Sequence, residues 1–275
     1  SFAPIVDLSI NWRNPIISNR TWSDQVDTVI QYSKEYMRGI QEFGILATAK
    51  HFPGDGVDDR DRHLSYASNS MEPKEWDETF GRIYKELSEA GLPAIMAGHI
   101  HLPNYEKALH PERTLDEMLP ASLNKTLLDE LLRGKLGFNG LVVTDASHMV
   151  AMTSSMPRKE LLPTAIEAGC DLFLFFNDPE EDFRWMKEGY LNGTISEERL
   201  QDALRRTLGL KAKLGYHKIK KEDIMLDKEN ALAQIGKPEN KAIAKEVSDQ
   251  AITLVKDKQK NIFPVTPERY KKILL

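Results

Sequence analysis

A single cysteine, Cys170, excludes a disulfide within the chain and suits a reducing compartment, so a cytoplasmic location is expected. No run of 18 apolar residues occurs, which leaves no candidate for a membrane-spanning helix, and no membrane partner is expected. Positive charge is scarce over most of the chain. Residues 1–208 hold 22 Lys and Arg against 33 Asp and Glu, whereas residues 209–275 hold 15 against 9. An acidic body argues against a nucleic-acid partner and suits a neutral or cationic ligand. The basic tail reads as a solvated connector. No HExxH pair occurs, and neither a metal nor another cofactor is expected. The sequence starts without Met on what already reads as a strand, so a true N-terminus upstream is expected.

What is present is an ordinary globular composition, 41% hydrophobic and 29% charged over 275 residues, enough for one large α/β domain or two smaller ones. Strand and helix signals alternate five times. Strands are expected at Phe2 to Leu8, Ile45 to Ala49, Ala94 to Ala97, Gly140 to Thr144 and Asp171 to Phe176. Helices are expected at Asp24 to Phe43, Pro73 to Glu89, Leu123 to Leu132, Leu161 to Ala168, Glu180 to Leu191 and Ser196 to Leu214. Pro103, Asn104 and Pro111 mark a long loop. Alternation of this kind argues βα units with parallel strands. The strand runs are apolar without period-two alternation, as expected of strands covered on both faces. Polar residues gather where they end: Asp7, Lys50 and His51, His99 and His101, Asp145, Asn177. That is where active sites lie in barrels and in open α/β sheets alike. Five strands fall short of the eight that close a barrel, so an open five-stranded sheet competes.

The stretch that organises the chain is Lys50-His51-Phe52-Pro53-Gly54-Asp55-Gly56-Val57-Asp58-Asp59-Arg60-Asp61-Arg62-His63. It leaves an apolar strand and turns at once into a loop with two Gly, one Pro, four Asp and two His. It resembles the signature of glycoside hydrolase family 3, in the β-N-acetylglucosaminidase branch whose acid/base is a histidine paired with an aspartate two residues earlier. Gly140-Leu-Val-Val-Thr-Asp-Ala146, Pro120-Ala-Ser-Leu-Asn124 and Leu136-Gly-Phe138 also match the family pattern.

The resemblance implies a (β/α)8 TIM-type barrel, incomplete here. Residues 1–215 would be its last five βα units, and residues 216–275 the connector and opening segments of an α/β-sandwich domain, at Ala251 to Lys256 and Tyr270 to Leu275. It implies a retaining exo-glycosidase that removes terminal β-linked N-acetylhexosamine, with a carbohydrate substrate as partner. Asp145 would be the nucleophile, His63 the acid/base and Asp61 its orienter. Lys50, His51, Arg20 and Asp7 would bind sugar hydroxyls. With upstream strands missing, residues 1–275 alone are expected to turn over weakly or not at all. The chemistry suits these residue types. A strand-end carboxylate can form a glycosyl ester, and an imidazole fixed by a carboxylate can give and take a proton near neutral pH.

Two positions depart from the branch: Asp55 stands where His is common, and Arg62 sits inside the dyad where a small residue is frequent. Other readings remain open. A β-glucosidase or a glycoside phosphorylase would use the same fold, since a neutral imidazole does not repel phosphate. A metal hydrolase would draw on His51, Asp55, Asp61 and His63, or on His99 and His101. A non-catalytic sugar-binding barrel would keep the topology without turnover. Trp12 and Trp22 can stack on a sugar or serve the core or a lid. The natural glycoside is not legible in the sequence.

Overall fold

A computed structural model describes residues 1–224, 227–256 and 262–272. The contacts separate into two compact units, Ser1–His217 and Lys218–Leu275. In the first, four parallel strands, β1 (Thr48–Phe52), β3 (Ala94–Ala97), β5 (Leu141–Ala146) and β6 (Leu172–Leu174), lie side by side in chain order. A second, two-stranded parallel sheet pairs β2 (Ala67–Ser68) with β4 (Ile100–His101).

The order of the large sheet decides between the two α/β architectures. A doubly wound sheet reverses direction at a switch point, whereas a barrel places each new strand beside the last. Here the order never reverses, and the segment before β1 continues it on the near edge. Ile5 bridges Lys50 in parallel, with Val6 N–H donating to the Lys50 carbonyl at 2.8 Å and Thr48 N–H to the Ala3 carbonyl at 2.8 Å. The expected strand from Phe2 to Leu8 is thus reduced to one bridge. Pro4 brings no N–H to a ladder, which limits the pairing. The sheet is an open arc with the winding of a TIM-type barrel.

Both faces of the arc are covered, as the apolar runs require. Ile95, Ala97 and Val142 pack into the main core with Leu127, Leu128 and Leu131. Their neighbours Ala94, Met96, Leu141 and Val143 form a second cluster on the other face, with Leu174 and Leu210 against it. Helix Val26–Gln41 turns Val29, Ile30, Ser33 and Met37 inward, at the spacing of one helical face. Helix Glu197–Lys213 is clasped to the sheet by buried Asp171. That carboxylate accepts the Val142 N–H at 2.8 Å, lies 3.1 Å from Arg133 and pairs with Arg199.

Several boundaries differ from expectation. β1 starts three residues later than the Ile45 run suggested, because its register is set by Thr48 opposite Ala94, so Lys50 and His51 lie within the strand rather than after it. β6 is only Leu172–Leu174, and Phe175 and Phe176 beyond it are exposed. The loop expected around Pro103 contains helix Pro103–Leu109, for which Pro103 is a first-turn residue, not a breaker. The second unit holds helices Lys221–Ile224, Lys228–Gln234 and Pro238–Ala251. Ile252 to Lys256 carries no regular element, and the last three residues of the Tyr270 to Leu275 segment lie outside the described residues.

Candidate active site

The polar strand ends converge. Asp7 follows the bridged segment, Lys50 and His51 lie in β1, His99 follows β3, and Asp145 is the penultimate residue of β5. All sit toward the C-terminal ends of parallel strands, the catalytic face of this architecture.

Asp7 is fully buried and organises the near side. Its Oδ1 accepts the backbone N–H of His51 at 3.1 Å and of Asp55 at 2.8 Å, and its Oδ2 lies 2.7 Å from His51 Nδ1. When Asp7 is ionised it can only accept, and Nδ1 then carries the ring proton and donates to Oδ2. Burial raises the Asp7 pKa to about 7, against the opposing charges of Arg62, Arg20 and Lys50. Burial drives His51 the other way, well below its ordinary value, so its ring is neutral. His51 Nε2 then faces Asp145 Oδ2 at 3.9 Å, too far for a direct hydrogen bond.

Asp145 is 16% exposed. Its Oδ1 accepts the Ala146 N–H at 2.8 Å, and its Oδ2 lies 3.5 Å from Arg62 Nε. Burial alone would raise its pKa; the charges of His51, Arg62 and His99, the imidazoles being charged only in acid, and the Ala146 N–H outweigh that and hold it at about 2. His99 is buried and its pKa is lowered by burial to about 4. The Ala146 carbonyl can only accept, so His99 Nε2 donates to it at 3.0 Å, and Nδ1 accepts from the Ser122 hydroxyl at 2.7 Å. With both imidazoles neutral at pH 7, the guanidinium of Arg62 is the standing cation in contact with Asp145. Lys50, half-buried, is the other cation whose field reaches it.

The signature loop wraps this cluster. Gly54 and Gly56 both take positive φ, and a Cβ would collide with the Phe80 ring at the first and the Leu8 carbonyl at the second. Asn14 spans the loop, donating to Asp55 Oδ1 at 2.9 Å and to the Asp58 carbonyl at 2.7 Å. Asp58 in turn accepts the Ser68 N–H at 2.8 Å and pairs with Arg60. Downstream, His63 Nδ1 lies 2.7 Å from Asp61 Oδ1, which also accepts the His63 N–H at 2.8 Å. The His63 side chain is 49% exposed. Val150 and Ala151 donate their N–H groups to the carbonyls of His63 and Arg62, both at 3.3 Å, fastening the dyad to the turn that follows Asp145.

Arg20 is exposed, in a short turn at Ser18–Arg20, with its side chain 3.3 Å from the Ile16 carbonyl. Its charge is felt at Asp7, His51 and Lys50, so it borders the same cluster. Trp22 stacks on Tyr32 with centroids 5.6 Å apart, whereas Trp12 is 84% exposed beside Arg13. His101 lies in β4 and packs edge-on against Tyr66. It lines a cavity of about 480 Å3 with Arg60, Tyr66, Leu115, Met118 and Ser155, next to the dyad loop.

The two departures from the family pattern are each other's partners. Arg62, 1% exposed, is ion-paired with buried Asp55. Sequence reasoning marked both residues but not their pairing, because nothing in a loop's spacing says which side chains turn inward. The metal reading finds no support in the arrangement. His51 is committed to Asp7, Asp55 to Arg62 and His63 to Asp61. Among the described residues no three His, Cys, Asp or Glu side chains are grouped to hold an ion.

A Cellulomonas fimi protein named beta-N-acetylglucosaminidase/beta-glucosidase is 43% identical over all 275 residues, which make up 48% of its length. A solved beta-glucoside phosphorylase, BglX, bound to 2FGlc, is 43% identical and superposes with a TM-score of 0.91, over 97% of this chain and 47% of its own. The family 3 beta-N-acetylglucosaminidase of Paenibacillus sp. str. FPU-7 gives a TM-score of 0.72 at 30% identity, over 83% of this chain and 43% of its own. The chain spans about half the length of the curated relatives it matches. Residues 1–210 match the glycosyl hydrolase family 3 N-terminal domain, and the chain belongs to that family.

Proposed function

We propose that the protein of which this chain is part is a retaining exo-glycosidase acting on terminal β-linked N-acetylhexosamine. The observation that carries the reading is that the loop bearing the Asp61–His63 pair is hydrogen-bonded to the turn after Asp145 while Arg62, between the pair, reaches the Asp145 carboxylate. An ionised carboxylate and an oriented imidazole thus share one rim of the sheet.

In the first half-reaction Asp145 bonds to the anomeric carbon as the glycosidic bond breaks, and protonated His63 gives its proton to the leaving oxygen. Asp61 holds Nδ1, which leaves Nε2 for the transfer. In the second, neutral His63 takes a proton from water as the water oxygen bonds to the anomeric carbon and releases Asp145. Two inversions give net retention. His51 Nε2, Lys50 and Arg20 are suited to the sugar hydroxyls, and buried Asp7 fixes the His51 ring. They supply donors and acceptors without having to change charge.

The second reading is phosphorolysis of a β-glucoside, favoured by the 43% identity to BglX and by the chemistry of the dyad. A neutral imidazole, unlike a carboxylate, does not repel an incoming phosphate dianion. Phosphate oxygen would then replace water at the anomeric carbon and yield a sugar 1-phosphate.

The test uses the full-length protein with aryl N-acetyl-β-glucosaminide and aryl β-glucoside, followed by proton NMR with and without phosphate. First-formed β-hemiacetal of N-acetylhexosamine supports the first reading. Sugar 1-phosphate formed only with phosphate, and faster from the glucoside, supports the second. First-formed α-hemiacetal contradicts retention and both readings with it.

A further inference from the structure

The buried pair of Asp55 and Arg62 serves no step of that mechanism, yet it lies against the reacting carboxylate. A salt bridge hidden from water is costly to assemble unless both ions find further partners. Asp55 has them: its Oδ1 accepts from Asn14 at 2.9 Å and from the Gly56 N–H at 2.6 Å. Arg62 is therefore anchored from behind by a carboxylate that is itself fixed. Its other edge faces Asp145 Oδ2 at 3.5 Å, the oxygen that Ala146 does not hold. At that distance it imposes its field on Oδ2 without the short bidentate hydrogen bonds that would tie up the lone pairs.

We propose that Arg62 is the positioning residue of Asp145, aiming its Oδ2 and keeping it anionic, and that Asp55 is present to hold Arg62. The inference rests on Asp145 being the nucleophile. Other groups facing Asp145 are His51 and Lys50 from β1 and His99 from the end of β3. Neutral His51 and His99 leave Arg62 and Lys50 as the cations, and Arg62 is the one in contact. Arg62 itself faces Asp55, Asp145 and Asp7, with Arg20 and Lys50 as the like charges in range. Asp55 and Arg62 thus form one device: a buried, hydrogen-bonded carboxylate holds an arginine that lies between the dyad residues and against Asp145.

The test isolates nucleophilic attack from acid catalysis. A 2-deoxy-2-fluoro glycoside with a dinitrophenolate leaving group needs no proton for departure, so His63 does not enter its trapping rate. That rate is measured against pH for full-length wild type, Arg62→Gln, Arg62→Lys and the double variant Asp55→Asn/Arg62→Gln. The double variant replaces the ion pair by two neutral amides and covers the case in which Arg62→Gln alone fails to fold.

The acid limb should rise by ~1–2 pH units without the arginine, the scale on which a neighbouring guanidinium shifts a carboxylate. The trapping rate constant at neutral pH should fall about 10–100-fold from lost aim, with inhibitor affinity little changed. Arg62→Lys should restore the acid limb in large part. A double variant with a wild-type acid limb and trapping rate, and only a lower Tm, would overturn the proposal and leave the pair a packing feature. Label on a residue other than Asp145 in the wild type would remove the nucleophile assignment and this inference together. Asp145 label with an unmoved limb would remove only the role of Arg62.

Discussion

The amide of Val150 donates to the carbonyl of His63 at 3.3 Å, joining two stretches that lie 87 positions apart in the chain. One carries the imidazole–carboxylate pair and the other follows directly from Asp145. Because the link is backbone to backbone, it holds the loop whatever side chain occupies position 63. Substitutions of the His63 side chain can therefore be read as chemistry rather than as loss of the loop.

Replacing His63 with Ala should lower kcat/KM for a poor leaving group about 10^2–10^4-fold, the usual worth of a general acid. For a dinitrophenyl glycoside, which needs no proton on departure, glycosyl-enzyme formation should be nearly unchanged. Asp61→Asn should show the same pattern with a smaller loss. Pre-steady-state rates with the two leaving groups check this. Equal losses on both would remove His63 from acid duty.

His99 should make the protein acid-sensitive. Its folded pKa is about 4 against an ordinary 6.5, so between those values the unfolded chain binds a proton that the native state does not. Stability is then present above about pH 6.5 and lost as pH falls toward 4, by about 3 kcal/mol for this one group. His99→Gln should flatten that part of the curve in urea titrations at pH 4 to 7. Buried His51 acts in the same direction and buried Asp7, with its pKa raised to about 7, in the opposite one, so the slope left after His99→Gln is the difference between those two. Parallel curves for the two proteins would contradict the assignment.

Asp145 contributes in a lower window. A carboxyl held at about 2 stabilises the fold above its ordinary pKa of 3.8, and the contribution disappears as pH falls from 3.8 to 2. The difference in unfolding free energy between wild type and Asp145→Asn should shrink by roughly 2 kcal/mol across that interval. A difference independent of pH would mean that the carboxyl is not held ionised.

Gly56→Ala should destabilise the protein by about 2 kcal/mol or more, because the new methyl meets the Leu8 carbonyl and the residue sits at φ +103°. A lowered Tm with loss of turnover is expected. Gly39→Ala, in the last turn of helix Val26–Gln41 with open space around it, should leave Tm unchanged or raise it. Equal effects of the two would count against the close approach at Gly56.

Much of this was legible in the sequence, for identifiable reasons. Continuous apolar runs marked β3 and β5 to within two residues, because strands buried on both faces carry no competing pattern. Asp145 and the Lys50–His51 pair stood out as polar residues breaking such runs. Short elements escaped. β2 and β4 have two residues each, and their pairing rests on a tertiary contact that no local period announces. Helix Pro103–Leu109 was hidden by Pro103 at its start and Pro111 beyond its end, since Pro103 opens a helix as readily as it breaks one. His99 was visible as a residue but not as a neutral donor to the Ala146 carbonyl, because its tautomer is set by that carbonyl, 47 residues away. The pairing of Asp55 with Arg62 was illegible for the same reason: in a loop of alternating acids and bases, charge alone matches many partners.

The central claim is that Asp145 becomes covalently bonded to the sugar. Incubation of the full-length protein with an activated 2-deoxy-2-fluoro-β-glycoside, proteolysis and mass mapping of the labelled peptide test it directly. The account predicts one added fluoro-sugar on the peptide carrying Thr144-Asp145-Ala146. Label at any other carboxylate, or turnover with no covalent adduct at all, would contradict it.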